Sequence, residues 1–305
     1  MKAIGTSLRE RAASFWLLVL FWCARYAPLM LRMIKPVALW ATWHSSRHIR
    51  DATTANARWL VGESSGMSAR RAFGKKVLAR FFEAVAEFGT NRHLSKQAIL
   101  QRVEQVFGLE RFEEARRFRR GAILVTAHLG SFETAMTMLA EHEPRVHVVF
   151  RRDKNRVFES MRSEQRARLG IIEEPADEGL PMWLRVRDAI RADEVVLVQG
   201  DRVMPGESGV LVPFMGGHVR VPAGPAKLAR ATGAPIIPTF AVRSESGRVL
   251  IYLEEPIWLE TLPDSPGQLD PAVARIALAI ESCVQRYPDQ WLVLYKAWRE
   301  DAVDR

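Results

Sequence analysis

Five short apolar runs constrain this chain more than any other feature in it. Residues 122–127 read AILVTA, and similar runs recur at 146–150, 195–199, 235–241 and 249–253. Runs this short, without polar alternation, mark strands buried on both faces. Between them lie helical stretches near 131–142, 154–169, 181–192 and 222–232, with another at 270–286. Strands alternating with helices predict an α/β fold, with a mostly parallel central sheet flanked by helices. Ligand sites in such sheets sit at the carboxyl ends of strands, so chemistry is expected at the strand-to-helix turns.

The chain before the first run has a different texture, predicted to be helical. Over residues 67–89, Val77, Leu78, Phe81, Phe82, Val85 and Phe88 recur at helical spacing, and Gly89 supplies a stop. A second helix is predicted over 95–107 with Ser95 as its cap. A basic run, RRFRR at 116–120, then closes on Gly121. Further upstream, residues 12–24 (AASFWLLVLFWCA) hold no charge. They fall short of the ~20 residues a spanning helix needs, and Arg25 and Pro28 end them. Basic residues flank the run: Lys2, Arg9 and Arg11 before it, Arg32 and Lys35 after it. Trp16, Trp22, Trp40, Trp43 and Trp59 crowd the same region, and tryptophan favours the membrane–water boundary. Three readings compete: a cleaved signal peptide, although no small-x-small cleavage site follows the run, a buried core helix, or a short anchor lying in a membrane with its basic side toward anionic lipid. The flanks favour the anchor, at the cytoplasmic face of the inner membrane. The chain thus divides into a helical membrane-associated segment at 1–60 and an α/β domain with a helical entry region at 61–305.

Apolar residues make up 48% and charged residues 26% of the 305, which excludes disorder. Two cysteines, Cys23 and Cys283, exclude a disulfide scaffold and fit a reducing compartment. The net charge of +9 calls for an anionic partner.

Three predicted strand ends carry polar groups. The first run leads into His128-Leu129-Gly130-Ser131-Phe132-Glu133, with His128 at the strand end, Ser131 where a helix cap belongs and Glu133 in the first helical turn. Five residues apart on one helix they would not face each other. Across a strand–turn–helix junction they converge, so that Glu133 fixes the imidazole tautomer and His128 takes a proton from a hydroxyl. The same spacing also arises by chance in loops, where both side chains merely satisfy a turn. The second strand end carries Arg151 and Arg152, suited to a bidentate grip on phosphate or to a solvated loop. Arg162, Arg166 and Arg168 on the next helix extend that anion surface or serve as its ordinary solvation. The third carries Asp201 and Arg202, within Val198-Gln199-Gly200-Asp201-Arg202. Beyond it, Pro222-Ala223-Gly224-Pro225 opens a helix whose first amides form a ready anion site.

In this order the pieces resemble the bacterial lipid A biosynthesis acyltransferases, the late lauroyl- and myristoyltransferases. Those enzymes are membrane-associated relatives of the glycerolipid acyltransferases. The resemblance rests on AILVTAHLGSFE, VVFRRDKN, VQGDR with GVLVPFMGG, PAGPAKLARATGAPIIP and the closing YPDQWLVLYKAWRE, and runs to about Arg299. It implies transfer of a fatty acyl group from an acyl-carrier-protein thioester, or acyl-CoA, to a hydroxyl of a lipid acceptor. A lipid A precursor or a related glycolipid is the acceptor class, as in lipopolysaccharide biosynthesis. His128 and Glu133 fall on the family's catalytic pair. Arg151, Arg152, Arg166, Arg168, Asp201 and Arg202 are expected to bind substrate. No metal and no cofactor beyond the thioester co-substrate are implied. An apolar pocket beside the pair is expected to measure the chain, since each buried CH₂ is worth about 0.8 kcal/mol. Acyl-carrier protein and an anionic phospholipid membrane are the implied partners. Two positions depart from the pattern: Phe132 stands where many lipid A enzymes have Trp, and Gln199-Gly200-Asp201 where they usually read Asp-Gln-Asp. The Gln-Gly-Asp-Arg form and PAGPAKLA are similar to branches that acylate other lipids, glycolipids among them.

Rival classes explain less. A nucleic-acid-binding protein accounts for the charge but not for the tryptophan-rich prefix, and no binding motif is present. A serine hydrolase lacks its Gly-x-Ser-x-Gly elbow. The seven histidines lack zinc-ligand spacing. The non-enzyme alternative is a membrane-associated lipid-binding or scaffold protein.

Overall fold

A computed structural model describes residues 8–203, 209–261 and 269–298; Lys2 and Arg299 lie outside the described residues. Four helices come first: α1 (Leu8–Tyr26), α2 (Pro28–Ser45), α3 (Arg47–Leu60) and α4 (Met67–Asn91). A short α5 (Lys96–Leu100) begins at Ser95, whose hydroxyl accepts the Ala98 N–H at 3.2 Å. Then follow β1 (Val103–Phe107), α6 (Leu109–Arg117), β2 (Ala122–Thr126), α7 (Phe132–His142), β3 (Val146–Phe150) and α8 (Arg156–Leu169). After these come β4 (Ile171–Pro175), α9 (Leu180–Arg191) and β5 (Val195–Gln199). A hairpin of β6 (Val210–Phe214) and β7 (Gly217–Val221) precedes α10 (Gly224–Thr232), β8 (Ile236–Arg243), β9 (Val249–Leu253) and α11 (Pro271–Arg286).

Seven strands form the main sheet in the order β1-β9-β8-β2-β5-β3-β4, parallel except for the β8–β9 pair. The apolar runs lack polar alternation because helices cover both faces. Ile123 and Val125 of β2 join Met182 and Ile190 of α9 and Ile276 and Ile280 of α11. Ala122 and Leu124 point the other way, into a cluster with Met136 and Leu139 of α7.

The edges differ from the sequence reading. Residues 103–107, predicted as the end of a helix, form β1, paired in parallel with β9. Val103, Val106 and Phe107 fit helical spacing, but an edge strand tolerates the exposed Glu104 and Gln105 equally well. The other edge strand, β4, had no long apolar run to announce it, and β6 (VLVPF) was read only as part of the GVLVPFMGG segment and not as a strand paired with β7.

Helix α1 is both core and surface. Phe21 and Cys23 are buried, and Phe21 seats on Gly89 of α4, where an added Cβ would lie 2.4 Å from the ring. The opposite face exposes Trp16 and Trp22, continued on α2 by Leu29, Met33, Val37 and Trp40. Among the described residues no helix is long and apolar enough to cross a membrane.

Candidate active site

Strand register sets the site. Thr126 of β2 lies opposite Gln199 of β5, so His128 and Asp201, each two residues further on, leave the sheet side by side. Gly200 permits the approach, because a Cβ there would meet a Val125 methyl at 2.5 Å. Asp201 is buried and accepts three hydrogen bonds. The His128 ring N–H at Nδ1 reaches Oδ1 at 2.9 Å; the His128 backbone N–H (3.0 Å) and the Trp291 indole N–H (2.8 Å) reach Oδ2. Burial pushes the Asp201 carboxyl up, but the facing His128 charge and these donors outweigh it and hold it below the usual carboxylate range. An ionised carboxylate only accepts, so Nδ1 carries a proton, and in the neutral form of the ring it is Nε2 that holds the lone pair. Nε2 has no hydrogen-bond partner among the described residues, and the ring is 30% exposed. An orienting carboxylate behind an open ring nitrogen is the geometry of a general base.

The turn that carries His128 is pinned on both sides. Gly130, at φ +51°, donates its N–H to Gln290 O at 3.1 Å, and Ser131 donates its N–H to Ala241 O at 2.9 Å. Ser131 stands at the cap position of α7 without capping it; its hydroxyl donates instead to Glu87 of α4 at 2.6 Å. Glu87 also accepts from Thr134 Oγ1 at 3.2 Å and from Arg243.

Glu133 enters the first turn of α7, half-buried, and its carboxylate has no hydrogen-bond or ion-pair partner among the described residues. The contact with Nδ1 expected of it belongs to Asp201. Burial raises the Glu133 carboxyl above its ordinary range; the charges of Arg162 and Arg166 oppose the shift and that of Glu87 adds to it.

The arginines separate into free and engaged. Arg151 at the end of β3 is exposed, with no partner among the described residues. Arg202 is exposed with its guanidinium 5.1 Å above the Tyr295 ring. Strands β2, β5 and β3 are neighbours, so His128, Asp201 with Arg202, and Arg151 lie along one sheet edge. Arg152, also exposed, pairs with Asp177 and Glu178. Arg166 is buried between Glu159 (2.6 Å) and Glu173 (2.5 Å) and lies over Phe150. Arg168 donates to the carbonyls of Arg92 and Leu94 at the end of α4.

An apolar cavity of about 30 Å³ lies between α6, α7 and the sheet, reaching from Thr126 and Phe132 at the site to His142. It is far smaller than the ~150 Å³ that admits a benzene, so it does not seat an acyl chain unless α6 or α7 moves. Among the described residues no three His, Cys, Asp or Glu are grouped to hold a metal ion.

The sequence profile described as "Bacterial lipid A biosynthesis acyltransferase" matches residues 6–300. The chain belongs to that family. A phosphatidylinositol mannoside acyltransferase of Mycolicibacterium smegmatis is 27% identical over 187 residues, or 61% of this chain and 59% of the relative. The chain therefore spans less than two thirds of that protein's length. The protein of the same description from Mycobacterium tuberculosis is 26% identical over 223 residues, 73% of this chain and 68% of its own.

Within this acyltransferase-family site, sequence reasoning placed Asp201 among substrate-binding residues and passed over Glu87 and Trp291. Asp201 had a signal, since it follows its strand by the same two residues as His128. Glu87 comes from an element remote in sequence and carried none; Trp291 lies in the closing YPDQWLVLYKAWRE segment, which was read for its resemblance without a role for that residue.

The unpaired Glu133 makes a testable difference. A carboxyl whose folded-state pKa is raised favours folding below its unfolded pKa and loses that contribution as pH rises through the folded value. Glu133→Gln cannot ionise, so at about pH 8 it is expected to be more stable than wild type by on the order of 1 kcal/mol. At about pH 4 the difference should shrink. Thermal melts at both pH values check this, and a variant less stable than wild type at both contradicts it.

Proposed function

We propose that the protein transfers a fatty acyl group from an acyl-carrier-protein or coenzyme A thioester to a hydroxyl of a sugar-bearing membrane lipid. The observation that carries this reading is the His128–Asp201 pair with Nε2 open, in a chain of the acyltransferase family. His128 Nε2 takes the proton from the acceptor hydroxyl as its oxygen attacks the thioester carbonyl. The tetrahedral intermediate collapses, the C–S bond breaks, and the leaving thiolate receives the proton from His128. Asp201 holds the reactive tautomer and then stabilises the imidazolium. Glu133 acts in the same turn, its free carboxyl accepting a hydrogen bond from a second hydroxyl of the acceptor sugar. The uncapped first amides of α7 serve as donors to the oxyanion. Arg151 and Arg202 hold anionic groups of the substrates, and exposed Lys154 and Arg156 extend that basic edge toward an acidic carrier protein. The chemistry asks for no metal and no further cofactor. The family's description names lipid A and the relatives' names a mannoside, which together favour a sugar hydroxyl as acceptor.

The exposed face of α1 and α2 supports work at a lipid surface, at the cytoplasmic side of the inner membrane. Ser14 of α1 donates to Asn155 at 3.3 Å, so this face runs beside the loop that carries Arg151. Helices of this kind lie in the headgroup boundary with the apolar face down. Trp16→Ser with Trp40→Ser should weaken partition into anionic vesicles by about tenfold or more. Sedimentation with vesicles reads this; equal pelleting of the double variant contradicts it.

The decisive experiment offers purified protein each thioester together with a membrane lipid extract. Mass spectrometry should show a lipid heavier by one acyl group, absent with His128→Ala. A wild type that acylates nothing with either donor overturns the reading and leaves a lipid-binding or scaffold role.

A further inference from the structure

We infer that Trp291 is a positioning residue of the site, its indole N–H holding Asp201 in the orientation that keeps the ring proton of His128 on Nδ1. The inference rests on the base role proposed for His128. Three consecutive residues near the end of the chain each tie down a different element. Asp289 accepts from Arg80 of α4 at 2.8 Å. Gln290 accepts the Arg243 N–H and donates to the Arg243 carbonyl, both at 2.8 Å, which clasps the end of β8. Trp291 forms an antiparallel bridge with Leu129. On either side of that bridge, Gly130 donates its N–H to Gln290 O and Leu292 donates its N–H to His128 O, at 3.1 and 2.8 Å. The backbone that bears Trp291 is therefore bonded directly to the turn that bears His128.

The ring has little freedom to leave. Trp291 is 2% exposed, with its ring centroid 5.3 Å from that of Phe214 and 5.6 Å from that of Trp298, edge to face with the latter. Its N–H meets Asp201 Oδ2 at 2.8 Å. Oδ2 thus receives two N–H donors and Oδ1 receives the imidazole, so the carboxylate plane is fixed from three directions. With the indole donor gone, the carboxylate keeps only bonds from His128 itself and can turn with the ring it should orient. A phenyl ring at 291 would serve packing but not this hydrogen bond.

The test is Trp291→Phe in the full chain, alone and in an Asp201→Asn background. Trp298→Phe is the control, because the Trp298 indole donates to Phe214 O at 3.0 Å in the same aromatic cluster and does not touch Asp201. Trp291→Phe is expected to lower kcat by about 10- to 100-fold, the range for a hydrogen bond to a charged group, with KM changed by less than about twofold. Trp298→Phe should keep kcat, and Trp291→Phe should cost little once Asp201 is asparagine. A wild-type kcat in Trp291→Phe, or the same loss in both backgrounds, overturns the inference. If Trp291→Phe folds poorly, the indole ¹⁵N–H resonance of Trp291 in otherwise wild-type protein gives the answer. It should move on Asp201→Asn, and an unmoved resonance overturns the inference. Should His128→Ala retain full activity, the base role fails on its own, while the resonance still reports the indole contact.

Discussion

Asp201→Asn is expected to lower kcat by about 10²- to 10⁴-fold, although the side chain keeps its shape. Two N–H donors, the His128 amide and the Trp291 indole, converge on Oδ2. The asparagine carbonyl must occupy that position, because an NH₂ group there would face two donors. Its NH₂ then faces His128 Nδ1, which becomes an acceptor, and the ring proton moves to Nε2. A ring protonated on Nε2 is no base toward a hydroxyl. In serine hydrolases the corresponding change costs about 10⁴ for the same reason. Steady-state kinetics with an acyl thioester donor check this, and a variant within tenfold of wild type removes Asp201 from the machinery. The ionised state also matters for stability. A carboxyl held below its unfolded pKa contributes stability above that value and loses it as pH falls through the folded one. The variant should therefore lose part of the acid sensitivity of wild type.

Gly130→Ala should unfold the turn or the protein, at a cost of about 3 kcal/mol or more. Gly130 sits at φ +51°, and a Cβ there would come within 2.4 Å of Ala241 O and 2.7 Å of Val242 Cα. Both are backbone atoms of β8 and cannot swing aside. The substitution either displaces the turn, carrying His128 away from Asp201, or strains β8. Gly233 is the comparison: its φ is +73° but nothing lies within 4 Å of the added Cβ. Gly233→Ala should cost only about 1 kcal/mol, the left-handed conformation alone. Denaturant melts separate the two, and equal midpoints would falsify the steric account. Any Gly130→Ala protein that folds should lose activity as well, because a displacement near 1 Å costs about 10²-fold.

How far the chain could be read depends on where each residue sits. Strands β3, β5 and β9 coincide with their apolar runs, because most of their side chains pack under helices; the one polar residue buried in them, His147 of β3, has Glu174 and Glu194 as partners. β1 and β4 escaped because an edge strand has one partner and can carry Glu104 or Glu173 at little cost. His128 and Glu133 were legible as a pair of chemical groups at a strand end. The groups that hold the turn and the Asp201 carboxylate were not, because such hydrogen bonds join neighbours in space that stand far apart in the chain. Glu87 reaches Ser131 from α4, and Trp291 reaches Asp201 from the far end.

Local pattern alone determined the α/β architecture and the strand end that bears His128, and it marked the tryptophan-rich helical prefix without saying which of its faces is exposed. Burial and periodicity are written into neighbouring residues, so the fully buried stretches declare their own state, whereas residues 103–107 did not. Only the tertiary structure decided which carboxylate meets the imidazole. That choice follows from the order of β2 and β5 and their register, and no stretch of either strand specifies its partner.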